Sequence, residues 1–212
     1  LTAGSGNVTL TGAVGASTRL GALTIASATN LTANAALTAT SITQTAGSGT
    51  TTFNGALNTN TASGIDLNVT TFTINDTVTT TNNGTLTITN SGTLTIAATA
   101  DMSLDGAFTQ DGTAAVSTAG DITTSADNIS FARAVTLSGN VALNTGSGAG
   151  NITFASTTDG AYNLTLTAGS SNVTLTGAVG ASTRLGALTI VSATNLTANA
   201  ALTATSITQT AG

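Results

Sequence analysis

An all-β chain built from stacked short strands is the fold this sequence predicts, and three observations carry that prediction. Threonine alone makes up about a quarter of the residues, and no long segment shows helical periodicity. Threonine, valine and isoleucine are stiff at the first side-chain torsion and favour strands over helices. Short segments with large apolar residues two apart recur along the whole length, and a 165-residue unit begins again before the last residue. Internal repetition on that scale is the mark of a solenoid or a tandem array.

The composition decides first whether the chain folds at all. Only 5% of residues are charged, where roughly 25% is usual. Disordered chains combine low hydrophobicity with high charge or abundant proline. Here 40% of residues are hydrophobic and proline is absent, so there is apolar surface to bury and every backbone N–H is free to pair.

The strand elements follow in order as triplets with a polar residue between two apolar ones. They are Val8–Leu10, Leu23–Ile25, Ile65–Leu67, Phe72–Ile74, Leu86–Ile88, Leu94–Ile96, Met102–Leu104, Val135–Leu137, Ile152–Phe154, Leu164–Leu166 and Val173–Leu175. Alternation with period two predicts one buried and one wet face. Between them lie Gly4-Ser5-Gly6, Asn54-Gly55, Asn83-Gly84, Asp105-Gly106, Asp111-Gly112 and Asp159-Gly160, which predict turns with positive φ.

Two architectures use such strands. In tandem β-sandwich repeats, Asn-Gly and Asp-Gly would close hairpins, and Thr85–Ile96 reads as one. In a parallel β-helix, three short strands form a coil and the coils stack. Sandwich cores call for large aromatics, and aromatics are 3% here. The β-helix is therefore the expected fold and the sandwich array its alternative. At about 20–24 residues per coil, one unit makes seven or eight coils and rises on the order of 35 Å.

Residues 1–47 reappear as residues 166–212 with two changes, Gly6 to Ser171 and Ala26 to Val191. Residues 1–165 are thus expected to be one full unit of a continuous solenoid, and 166–212 the start of the next. The pattern is already under way at Leu1, so a longer parent protein extending in both directions is expected. Further copies of the unit, joined head to tail, are the expected partners, with laterally bundled chains or host and matrix glycans as additional ones.

The stretches Gly150–Ile190 and Leu31–Gly47, with their runs of Asn-x-Thr and Leu-Thr-x, resemble the repeat regions of filamentous-haemagglutinin-like giant bacterial surface proteins. The resemblance spans essentially the whole chain and rests on repeat style rather than on a catalytic signature. It implies a right-handed parallel β-helix, export through an outer-membrane partner, an extracellular or cell-surface location, and a role in adhesion or matrix formation. No motif of that family's secretion domain occurs in the sequence.

Several activities are disfavoured by residue types alone. There is no His, Cys, Lys or Glu to act as a base or as an activated nucleophile, and no enzymatic activity or cofactor is expected. The net charge is −5, from eight Asp against Arg19, Arg133 and Arg184. Nucleic-acid binding needs clustered cations, so none is expected, and no apolar run approaches the ~20 residues of a membrane span. Four Asp fall between Asp101 and Asp121. Asp101 and Asp105, four apart, would share a face of one strand and are the only metal or acid-pair candidates. Service at corners is the expected role of these carboxylates, because the Gly-Gly-x-Gly-x-Asp repeat of calcium-binding solenoids is absent.

Asn-x-Thr/Ser occurs at Asn7, Asn30, Asn68, Asn75, Asn83, Asn128, Asn151, Asn163, Asn172 and Asn195. Asn7, Asn30, Asn151, Asn163 and Asn172 are the candidate glycan acceptors, with corner ladders as the competing role. Thr-x-Thr pairs recur at Thr9/Thr11, Thr71/Thr73, Thr85/Thr87/Thr89, Thr93/Thr95, Thr165/Thr167 and Thr174/Thr176. A flat array of them would match an ice lattice, which makes an ice-binding β-helix an alternative function, but their uneven spacing disfavours such an array. Arg19 and Arg184 hold equivalent positions, and a solvated corner is expected rather than a bridge to a neighbouring coil. The phenylalanines are expected in the core.

Overall fold

The computed structural model describes residues 1–211 and, among them, contains strands, turns and bends but no helix. The strands form three sheets, and every pairing is parallel. Each turn of the chain adds one strand to each sheet, giving a β-solenoid of about 10 turns.

We number the faces in the order the chain visits them. Strands of face 1 begin at Val8, Leu31, Thr50, Thr71, Leu94, Val116, Val135 and Thr158. Those of face 2 begin at Leu37, Leu57, Val78, Met102, Ile122, Val141, Leu164, Leu185 and Ala204. Those of face 3 begin at Leu23, Ile42, Ile65, Leu86, Phe108, Ile129, Ile152, Asn172 and Asn195.

The length of a turn is not fixed. It is 19 residues from Leu23 to Ile42 and 24 from Val78 to Met102. Corners absorb the variation, so the three-residue strands remain in register. Alternation does the rest: most strands read buried, half-exposed or exposed, buried. The buried positions form a single apolar core along the tube. Phe53, Phe72, Phe108, Phe131 and Phe154 are all inside it. Phe108, Phe131 and Phe154 stack on successive turns with ring centroids 5.1 and 5.2 Å apart, within the spacing at which aromatic pairs attract.

The hairpin expected over Thr85–Ile96 does not form. Leu86–Asn90 lies on face 3 and Leu94–Ile96 on face 1, and each pairs with the turns above and below. Asn90-Ser91-Gly92 is a corner between them, and the sandwich alternative falls with it.

Nor do the Gly-containing corners all need positive φ. Gly4, Gly64 and Gly160 have it, and at Asn83-Gly84 it is Asn82 and Asn83 that adopt φ of 57° and 59°. Gly55, Gly106 and Gly112 do not have it. Their constraint is the neighbouring turn: a Cβ at Gly112 would stand 2.2 Å from the Asn90 carbonyl oxygen. Glycine is needed there because two backbones pass in contact.

Polar side chains also point inward, and they gather at corners. Thr80, Thr124 and Thr145 each donate a hydroxyl proton across the corner between faces 2 and 3, to the carbonyls of Gly84 (2.5 Å), Asp127 (2.5 Å) and Gly150 (2.7 Å). At the corner between faces 3 and 1, Gln110 Nε2 donates to Asn90 Oδ1 at 2.7 Å, and Asn90 Nδ2 donates to the Gly92 carbonyl at 2.7 Å. A buried hydroxyl or amide is costly unless it is bonded, so these residues belong where backbone carbonyls turn away from the ladder. Thr59 Oγ1, Asn60 Oδ1 and Thr158 Oγ1 are buried without a partner.

The boundary at residue 165 falls inside the strand Leu164–Thr167, which pairs in register with Val141–Asn144 on one side and, through a one-residue register shift between Leu166 and Thr167, with Leu185–Ser192 on the other. One stack runs through both copies of the repeated sequence.

Candidate functional site

The outward surface is built of columns, one residue per turn, and each column has its own chemistry. Residues just before a strand form the corner ladders. Asn7 Oδ1 accepts the Asn30 backbone N–H at 3.1 Å and Asn30 Nδ2 at 3.0 Å. Another ladder runs Asn128, Asn151, Asn172, Asn195, with side-chain amides 3.3, 3.2 and 2.8 Å apart. Asn163 receives the Ala187 N–H at 2.8 Å, and its own N–H donates to Asn140 Oδ1 at 3.0 Å. The candidate acceptors Asn7, Asn30, Asn151, Asn163 and Asn172 are therefore all laddered. The motif coincides with the ladder because an Asn before an apolar-Thr-apolar strand satisfies both patterns.

The aspartates do the same work. Asp101 Oδ1 accepts the Asp121 N–H at 3.0 Å, and Asp121 Oδ1 accepts the Ala142 N–H at 2.7 Å. Asp105 takes the Asn83 N–H at 2.9 Å. That bond is the largest influence holding its carboxyl below the ordinary value of 3.8, followed by the Ser125 side chain and the Asn82 backbone, with burial opposing. Asp101 and Asp105 do not share a site: they flank the strand Met102–Leu104, roughly 10–13 Å apart by strand rise, and face different partners. The reason is that the strand is only three residues long, so a spacing of four spans two corners. No group of three or more metal-ligating side chains occurs among the described residues.

The threonines are in register despite their uneven spacing in sequence. On face 1 the outward column reads Thr9, Thr32, Thr52, Thr73, Thr95, Ser117, Thr136. Thr50 pairs with Thr71 beside the Thr52–Thr73 pair, and Thr93 adjoins the Leu94–Phe72 pair below. Three successive turns thus present two ranks of threonine. The expectation of no aligned array is corrected: corners of different length cancel the irregularity. The double rank stops at Asn7 and Asn30 above and at Ala115 below.

Arg19 also departs from expectation. Val14 bridges to Leu37 and Leu20 to Ala39, so Gly15–Arg19 stand out as a five-residue loop over a single facing residue, Thr38. Arg19 folds back from this loop across two turns. It donates to the Ala39 carbonyl at 2.7 Å, the Asn58 carbonyl at 3.0 Å and Asn58 Oδ1 at 2.5 Å. This is a bridge between coils, not a solvated corner. Arg184 makes the equivalent bond to the Ala204 carbonyl at 3.1 Å.

The surface depressions are shallow. The best formed follows the corner between faces 3 and 1 and is lined by Thr45, Asn68, Thr89 and Asp111, among others. Thr89 Oγ1 donates to Asp111 Oδ1 within it at 2.6 Å. Tyr162 is the exposed aromatic on the surface, and it stands apart from that groove.

No family model, curated protein or solved structure matches this chain.

Proposed function

We propose that this chain is a segment of a long, non-enzymatic rod of the filamentous-haemagglutinin-like kind, displayed outside a bacterial cell for attachment or matrix building. The observation that carries this reading is the strand Leu164–Thr167, where one repeat unit becomes the next within a strand paired on both sides and over one continuous core, with only a one-residue register shift toward the following turn. A solenoid of this sort has stability close to a sum over nearest-neighbour turns, so length can be added at constant cross-section. Its low charge and continuous backbone pairing suit a stiff spacer. Further copies of the unit continue the stack, and the unpaired edges of an isolated piece favour association.

Electron microscopy of native material tests the reading directly. A rod of uniform width is expected; a string of separate beads would sink it. A glycan array then divides spacer from adhesin, since a pure spacer binds nothing and an adhesin module binds a defined subset.

A second reading rests on the double rank of threonine at Thr50/Thr52, Thr71/Thr73 and Thr93/Thr95. Hydroxyls repeating every turn along one face are suited to ordering water, and the corresponding activity is ice binding. Thermal hysteresis at millimolar protein measures it. A freezing point equal to that of a Thr52→Val/Thr73→Val variant excludes it.

A further inference from the structure

The two copies of the repeated sequence do not occupy the same faces. Val8–Leu10 lies on face 1, whereas its counterpart Val173–Leu175 lies on face 3. Leu23–Ile25 lies on face 3, and its counterpart Leu188–Ile190 on face 2. Leu37 lies on face 2, and its counterpart Leu202 continues face 1 through Val179 and Thr158. Each of these three elements has moved by one face in the same sense; Ala39 and its counterpart Ala204, at the edge of the last turn, both lie on face 2.

The count explains why. Face 1 carries eight strands from Val8 to Thr158, which is seven full turns. The chain then passes face 2 at Leu164, and the sequence of Val8 returns on face 3 at Val173, two-thirds of a turn further on. The 165-residue unit is therefore seven and two-thirds turns long. The shift is tolerated because the three faces are built alike, from three-residue strands with the same inward alternation, and because corner ladders accept Asn at any corner. The Asn7–Asn30 pair starts the face 1 ladder, while its copy Asn172–Asn195 extends a ladder on face 3.

We infer that successive units of this repeat are related by a third-turn screw, so that each surface feature of the unit is shown in turn on all three sides of the rod. The unit advances about 37 Å along the axis and the same feature returns to the same side every three units, on the order of 110 Å. The Gly15–Arg19 loop shows the consequence within this chain. Its copy Gly180–Arg184 emerges after Val179, which is stacked on face 1, instead of after a residue stacked on face 2. A partner that recognises the loop meets it on every side of the rod, and two rods lying side by side cannot keep the same repeated feature in contact from one unit to the next. The extension beyond this chain rests on the tandem rod proposed above; the shift between its two copies does not.

Disulfide trapping in the full chain tests the shift, since the protein has no cysteine of its own. Outward residues on adjacent turns of one face are about 4.8 Å apart, within disulfide reach. The pairs T153C/T174C and T165C/T189C join residues in register on faces 3 and 2. The pair T153C/T189C would be in register only if the unit made a whole number of turns. With T9C/T32C as the face 1 reference, the first two pairs are expected to oxidise at the reference rate and T153C/T189C at least tenfold more slowly. Rapid closure of T153C/T189C overturns the inference, as does failure of both in-register pairs while the reference closes. The pairs are independent variants, so the loss of any one to misfolding leaves the others decisive.

Discussion

Residues 26–46 and 191–211 carry the same sequence apart from Ala26 and Val191, yet they are not the same structure. In the first copy a further turn lies beneath, and Ile42 is fully buried with Leu31 and Leu37. In the second copy no turn lies beneath in this chain, and Ile207 is 50% exposed. The backbone differs as well. Thr40 and Ser41 form a corner between faces 2 and 3 in the first copy, whereas Ala204–Gln209 runs on as one strand in the second. The Thr40 carbonyl is held from below by the Asn60 N–H at 3.3 Å and the Thr61 hydroxyl at 2.8 Å. The corner is thus fixed by the next turn as much as by its own residues. Local sequence sets which residues point inward, and the neighbouring turn sets where the chain bends.

Substitutions at paired positions sharpen this contrast, beginning with the largest effect. Ile42→Ala removes packing from a closed interior and should cost about 3 kcal/mol, while Ile207→Ala should stay within about 0.5 kcal/mol. Native-state hydrogen exchange of the surrounding amides is the right measurement, because long repeat arrays lose two-state behaviour. Equal costs would mean that the last turn is covered in solution.

Gly15 and Gly180 have φ of 73° and 68°, and a Cβ at either would stand 2.0 Å from the carbonyl oxygen of Thr38 or Thr203. Gly15→Ala should destabilise by roughly 2 kcal/mol, and Gly180→Ala by less, because the strand it meets has no turn below to hold it. Exchange at Thr38 and Thr203 would read both.

The arginines come next. Arg19→Ala gives up three hydrogen bonds that tie two turns together, for about 1–2 kcal/mol. Arg184→Ala gives up one exposed bond and should change stability by less than about 0.5 kcal/mol. A thermal melt followed at both ends by site-specific labels distinguishes them.

The smallest effect lies outside both copies, at Asp105, and serves as a reference. Its folded carboxyl titrates below 3.8, so the stability it confers is complete above the unfolded value and is lost as the pH falls through the folded one. Unfolding midpoints should be level from neutrality to about pH 5 as far as this group is concerned, and decline below about pH 4. Asp105→Asn should flatten that acid decline relative to the parent chain.

Much of this architecture can be read from residue order. Leu-Thr-Ile and Val-Thr-Leu mark the strands because alternation with period two survives any corner length. The scarcity of aromatics separates solenoid from sandwich. Registration of the threonines is not readable, because the corners that restore it differ in length and composition from turn to turn. The interior roles of Asn90 and Gln110 escape notice for a related reason: they bond to each other, to the Ala114 carbonyl and to the Ala132 N–H across adjacent turns, 20 to 24 residues away in sequence. Arg19 reads as solvated until its reach to Asn58, 39 residues away, is seen. The Asn ladders were legible as a competing role, since Asn recurs just ahead of a strand.

The shortness of every turn has a kinetic consequence. Ladder partners lie 19 to 25 residues apart throughout the stack, so no ladder waits for distant parts of the polypeptide to find each other. Only the first closed loop must form without a template, and every later one is a short closure onto a surface already in place. Such a chain zips from a single nucleus at a pace set by one loop at a time, and adding units lengthens the task in proportion without raising the barrier.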